Sequence, residues 1–244
     1  SNSLTQSTGQ TTIQQLTSIL NTSVNGEYLF AGTNTDVKPI NDFTAAGSPA
    51  KAAFDASFVA KFGFTPNDPA AANITAAQMD DFITNDVAPQ FLGAGWQTNM
   101  SNATDQQIVS RIALNETTET STSANSDGIR KLAMAAAMVS SLMSSNISRA
   151  AKDSIVTHSQ TLVGEALSGI AQVQSETGIV QKRVSDASDR MKTQIDLFER
   201  HILDLEAVDP ATAATRVADL TQHIETSFAL TARLQQMSLL NYLT

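Results

Sequence analysis

The side chains best suited to bind a metal or move a proton are His158, His201 and His223, and they lie far apart in the chain. No two stand at i, i+4, the spacing that sets two imidazoles on one helix face. A metal would need carboxylates from other helices, and solvated bundle histidines are the simpler reading. Asp80 and Asp81 resemble a carboxylate pair, but neighbours on a helix point apart, so a solvated face is expected. Asn34, Asp36, Asn41 and Asp42 form a polar loop without the Asp-x-Asp-x-Asp-Gly order and bidentate Glu of a calcium loop. That loop reads as a turn. Gly93 and Gly95 beside Trp96 also read as a turn, not as a phosphate cradle. Asn-x-Ser/Thr triplets, as at Asn73 and Asn115, follow from a Ser-, Thr- and Asn-rich composition. No catalytic, cofactor or metal site is expected, and the chain does not read as an enzyme.

Composition narrows the classes further. The chain has no cysteine, which removes thiol nucleophiles, disulfides and Cys-ligated zinc together. A net charge of -9 without a Lys/Arg cluster argues against a nucleic-acid surface. No run of about 18 apolar residues is present, so no membrane insertion is expected. Ser1 to Gln10 lacks a basic segment followed by an apolar stretch, so no cleavable signal is expected there.

The elements that must position any surface are helices. Ile170, Val173, Val180, Val184, Ala187, Met191, Ile195, Phe198, Ile202 and Leu205 recur at helical spacing. Charged residues such as Lys182, Arg183, Asp186 and Asp189 take the other faces. No proline lies between Pro89 and Pro210, so one helix from Ser148 to Val208 is expected, roughly 90 Å long at 1.5 Å per residue. Gly164, Gly169 and Gly178 lie inside it, each costing about 1 kcal/mol relative to Ala. They predict close packing or a bend, with Gly164 the place for a break. Ile195, Phe198 and Ile202 are expected to be buried against another helix. Asp209-Pro210 reads as a stop and restart, with Asp capping the next helix.

Ahead of this spine, Ile13, Leu16, Ile19 and Leu20 make a helical face in residues 4–21. Residues 27–33, Glu-Tyr-Leu-Phe-Ala-Gly-Thr, read as a strand and turn. Five of the six prolines and seven of the ten phenylalanines fall between Pro39 and Phe91. Residues 39–126 therefore read as an inserted module with a Phe core of its own. Within it a short helix is capped by Thr75 and Gln78, and two or three strands follow between Trp96 and Ser123. Asp127-Gly128 opens an Ala- and Met-rich helix.

Residues 26–33 (Gly-Glu-Tyr-Leu-Phe-Ala-Gly-Thr) and the ending Met237-Ser238-Leu239-Leu240-Asn241-Tyr242-Leu243 resemble the flagellin superfamily. Within it they look closest to the proteins that join the bacterial flagellar hook to its filament. The resemblance covers both ends of the chain, with 39–126 matching the family's variable outward module. It implies a secreted, extracellular structural subunit of the flagellum without cofactors. Its partners would be other copies, the hook-side junction protein and filament flagellin. The resemblance also implies that further helices precede this chain in the family.

The expected fold is mainly α: an elongated helical bundle or coiled-coil rod with a small inserted β-rich (α+β) module. Its parts are 1–38, a helix and strand of the rod; 39–126, the insert; 127–208, long helices; and 209–244, a terminal assembly helix. The expected assembly interface is the stripe of Val217, Leu220, Ile224, Phe228, Leu234, Met237 and Leu240, with Tyr242 and Leu243. That stripe is expected to be held by another copy or by the long helix folded back on it. A membrane-surface role is disfavoured, since only Arg216 and Arg233 are basic there. Filament flagellin is the alternative. A chemoreceptor-like signalling hairpin would lack the Phe-rich insert, and a glycan-binding insert stays open on one Trp and scattered Asn and Asp.

Overall fold

The polar opening folds as α1 (Asn2–Leu20), with Ile13 and Leu20 buried and Leu4 and Ile19 facing outward. These coordinates come from a computed structural model that describes residues 2–207 and 209–242, the last six as backbone alone. Strands β1 (Ser23–Val24) and β2 (Glu27–Tyr28) follow as a tight antiparallel hairpin. Asn25 and Gly26 close it with φ of 54° and 87°, the two left-handed positions that a type I′ turn requires. Asn21 then grips the chain beyond the hairpin: its amide donates to the Ile40 carbonyl at 2.9 Å and accepts from the Ile40 N–H at 3.0 Å.

Only the first two residues of the aromatic run are strand. The rest is a clasp, in which Ala31 bridges to Ser123 and the Ala124 N–H donates to the Phe30 carbonyl at 2.8 Å. Gly32 makes the clasp possible. Its φ is +65°, and a Cβ there would lie 2.4 Å from the Thr104 carbonyl oxygen, closer than any side chain tolerates.

Between the two sides of this clasp, short helices carry Phe54, Phe58, Phe62, Phe82 and Phe91. In α2 (Pro49–Phe62), Ser48 caps the start and left-handed Gly63 closes the end. Before α3 (Ala76–Phe82), Thr75 and Gln78 form the reciprocal capping box expected of them. A wide π-type turn, Ile83–Val87, leads into α4 (Ala88–Phe91), with the Ala88 N–H reaching back to Ile83. Pro89 sits just after it, and a wider turn moves aside the carbonyl that a proline ring strikes in an ordinary helix. The strands of the insert are two, β3 (Val109–Ala113) and β4 (Glu116–Glu119), paired antiparallel with a register shift between Arg111 and Ala113.

Helices α5 (Asp127–Leu142), α6 (Arg149–Glu206) and α7 (Pro210–Tyr242) complete the chain. The long helix is unbroken at Gly164 and Gly178. Gly169 marks close packing: its α-carbon region meets Gly128 of α5, where an added Cβ would lie 2.9 Å from the Ala166 carbonyl oxygen. Ser148 caps α6, accepting the Ala151 N–H at 3.0 Å. Asp209 caps α7, accepting the Ala211 N–H at 3.0 Å. Mainly α with small β hairpins is thus the architecture.

The chain divides into two units at Ala187/Ser188. In the first, the core is a single cluster. Phe43, Phe54, Phe58 and Phe82 of the insert join Ile13 and Leu20 of α1, Met134 and Met138 of α5, and Ile155 of α6. The expectation of a Phe core separate from the helical part is therefore not met. The insert's rings meet edge to face, Phe54 with Phe82 at 6.2 Å and Phe58 with Phe82 at 5.4 Å, the arrangement aromatic quadrupoles favour. One helix layer alone could not cover these rings, and α1, α5 and α6 supply the rest of the enclosure. The second unit, from Ser188 onward, holds the end of α6 and all of α7.

Candidate assembly faces

In α7 the Asp209 cap and Pro210 fix the start of the helix, and the 3–4 spacing then lines its apolar residues on one side. Val217, Leu220, Ile224, Phe228 and Leu234 are between 54% and 72% exposed. No described α7 residue is buried, so within the second unit the end of α6 does not cover the stripe. The side chains of Met237, Leu240 and Tyr242, and all of Leu243, lie outside the described residues.

The end of α6 carries a second open stripe. Ile195, Phe198 and Ile202, expected to be buried, are 55%, 65% and 52% exposed. The expected burial is not met: within the second unit nothing covers these residues. The same helix is covered nearer its start, where Ala151, Ile155 and Ala166 are buried. Between the two, Arg183 donates to the Thr118 hydroxyl at 3.1 Å, the Thr117 carbonyl at 3.2 Å and Glu116 at 3.3 Å, seating the β3–β4 hairpin on α6.

The residues weighed for chemistry are mostly absorbed into structure. Asp80 is not simply solvated: one of its oxygens accepts from the Ser154 hydroxyl and lies 3.1 Å from His158 Nε2. Serine and histidine both address that carboxylate, which ties α3 to α6 and does not align the hydroxyl with an imidazole base. Asp81 turns the other way, to Lys61. That ion pair and the Asn85 amide hold the Asp81 carboxyl below the usual aspartate range. Hydrogen bonds from Lys61 to Asp81 and Asp86 hold its ammonium above the usual lysine value. Lys131 is raised likewise by Asp127 and then Glu165. His201 and His223 are exposed. Among the described residues no three His, Cys, Asp or Glu side chains gather as metal ligands. Asp42 accepts from the Thr44 N–H and hydroxyl, both at 2.8 Å, so the 34–42 loop is a turn.

Trp96 is fully buried and presents no face to a sugar ring. Its indole N–H donates to Asn125 Oδ1 at 2.8 Å, which also accepts from Ser101 at 2.6 Å. The Asn125 amide donates in turn to the Ala103 carbonyl at 2.9 Å and to Asp105 at 2.7 Å. Arg130 completes this polar hub, donating to the Phe91 and Gly93 carbonyls at 2.7 and 2.8 Å. Sequence reasoning missed both residues. Their partners lie 20 to 39 positions away, beyond any local pattern.

An apolar groove of about 590 Å³ also opens between α1, α5 and α6, with Leu4, Thr8, Leu132, Val139 and Val163 among its walls. No charged side chain lines it. Among the described residues, no helix is long and apolar enough to cross a membrane.

Residues 160–243 match the family model of the bacterial flagellin C-terminal helical region. The matched span takes in both open stripes and supports the flagellin superfamily. Comparison with curated proteins and with solved structures returned no match.

Proposed function

We propose that this chain is a structural subunit of the bacterial flagellum, of the type of hook-associated protein 3, joining hook to filament. The observation that carries the reading is a coincidence of positions. The span matching the flagellin C-terminal helical region is also where two apolar stripes stand in water. Burying one large aliphatic or aromatic side chain yields roughly 1.5–3 kcal/mol, so a stripe of five or more drives association once a partner covers it. The interface comprises Val217, Leu220, Ile224, Phe228, Leu234, Met237, Leu240, Tyr242 and Leu243. Its partners are further copies, the hook-side junction protein and filament flagellin, outside the cell. Residues 1–38 and 127–244 carry assembly, and 39–126 form the inserted outward module. The mechanism is desolvation of helix stripes, with no turnover.

Electron microscopy of flagella from a deletion strain tests the role. Hooks without filaments, rescued by this chain in substoichiometric amount, are expected. Intact filaments in the deletion strain would overturn it. Polymerisation of the purified chain alone into long filaments would favour filament flagellin instead.

A further inference from the structure

The β1–β2 hairpin carries a reactive pair at its tip. Asn25 is the one asparagine of the chain that glycine follows. Both residues are exposed. Neither the Asn25 amide nor the Gly26 N–H has a hydrogen-bond partner among the described residues. A Cβ built on Gly26 would meet nothing within 4 Å, so the space beside it is open. Glycine itself puts no side chain in the way of a close backbone approach.

At rest the pair forms the turn, with left-handed φ at both positions. For the Gly26 nitrogen to reach the Asn25 side-chain carbon, the Asn25 backbone must swing out of that region and open the turn. Little resists the swing. Each strand is two residues long, and an isolated two-stranded hairpin is marginal in water. Exposed elements with few buried contacts open locally at low free energy. Other asparagines are better guarded. Asn125 precedes Ser126, but its oxygen accepts from Trp96 and Ser101 and its amide donates to Ala103 and Asp105. Asn2 precedes Ser3 inside α1, where a side chain and the helical backbone both stand in the way.

We propose that Asn25–Gly26 is a site of self-modification, at which the chain converts its own asparagine to aspartate and isoaspartate. The Gly26 nitrogen forms a bond to Asn25 Cγ, and the Cγ–Nδ2 bond breaks. Nδ2 leaves as ammonia with the proton from the Gly26 amide, and a five-membered succinimide remains. One water then opens the ring. Attack at Cγ gives aspartate in an unchanged main chain. Attack at the main-chain carbonyl gives isoaspartate, in which the main chain runs through the side-chain carbons and the turn is longer. Either product adds a carboxylate, and nothing is oxidised or reduced. The inference stands whatever the chain assembles into.

The folded full chain is incubated at mildly alkaline pH and its peptides are mapped by mass at intervals, with synthetic aspartyl and isoaspartyl peptides as retention standards. Conversion at Asn25 is expected first, giving both products. Asn125 is expected to convert roughly 100-fold or more slowly, since its four hydrogen bonds must be released. Asn25→Gln is expected to remove the early mass gain. The Leu29 N–H, which donates to the Thr22 carbonyl at 3.1 Å, reports the hairpin. Its hydrogen exchange is expected to quicken about 2- to 10-fold in the isoaspartyl form, the value of one hydrogen bond. Asn25→Asp is expected to leave that exchange unchanged, because aspartate also accepts a left-handed φ. An intact Asn25 while Asn2 or Asn115 converts would overturn the proposal.

Discussion

Residues 2–187 and 188–242 use similar apolar residues at similar spacing and come to opposite ends. In the first region Phe54, Phe58, Phe82 and Trp96 have no measurable exposure. In the second, Phe198 and Phe228 are 65% and 72% exposed. The difference is one of company. Around the Phe residues, helices arrive from both ends of the chain and shut water out. Along the end of α6 and all of α7, helical geometry makes an apolar face and the described chain supplies nothing to lay on it. The 33 residues of α7 are helical all the same, with backbone hydrogen bonds made inside the helix. One region is closed by folding; the other leaves its apolar residues exposed.

The strongest way to break this contrast is to cut the two regions unequally. Replacing residues 39–126 by a short linker is expected to abolish cooperative thermal unfolding, because it removes most of the core that α1 and α5 share. Ending the chain after Ala187 is expected to leave that transition in place. Circular dichroism melts of both variants check it. Persistence of a sharp transition without the insert would show that the helices own a separate core.

A single residue in each region gives the next largest effect. Phe58→Ala is expected to cost about 3–5 kcal/mol in urea unfolding of the monomer. Phe198→Ala is expected to stay within about 0.5 kcal/mol under the same conditions. Equal costs would mean that the distal stripe is covered in the free chain after all.

Local rules were legible in the sequence wherever cause and effect lie within a turn of one another. The Thr75–Gln78 box, the Asp209-Pro210 restart and the proline-free run of α6 are of this kind, because capping and helix continuity depend on neighbours. Periodicity likewise marked Ile195, Phe198 and Ile202 as helical, as α6 shows. It could not say what covers a face, since covering depends on segments elsewhere in the chain or in another molecule. For the same reason the Phe cluster read as a private core. Composition marked the insert, but nothing in it reveals that Ile13 and Met138 belong to the same buried cluster. Asn125 and Arg130 carried no signal at all, because carbonyls of distant turns exist at every position and only the fold selects which ones they meet.

Asn125 sharpens the contrast from the polar side. Asn125→Ala is expected to cost about 1–3 kcal/mol, since it leaves the buried Trp96 indole N–H without its acceptor. Trp96 fluorescence during urea unfolding reports this directly, and the helical signal of α7 is expected to be unaffected. A cost near zero would show that the indole N–H finds another acceptor.

The smallest expected effect is a response to acid confined to the first region. The Lys61 ammonium, and secondarily the Asn85 amide, hold the Asp81 carboxyl below its ordinary value of 3.8. A carboxylate whose folded value is depressed contributes stability above its unfolded value and loses it as pH falls through the depressed one. The α2–α3 tie is therefore intact at neutral pH and released only below the ordinary aspartate range. Lys61 runs the opposite way. Its value is raised above 10.5, so its share is complete below that pH and is lost only as alkali carries the solution through the raised value. The two side chains are partly exposed, at 29% and 50%, and water screens such pairs, so global stability moves little. Carboxyl NMR titration resolves it: Asp81 is expected to titrate below 3.8, and Lys61→Met to return it upward. A midpoint that does not move in Lys61→Met would assign the depression to the Asn85 amide instead.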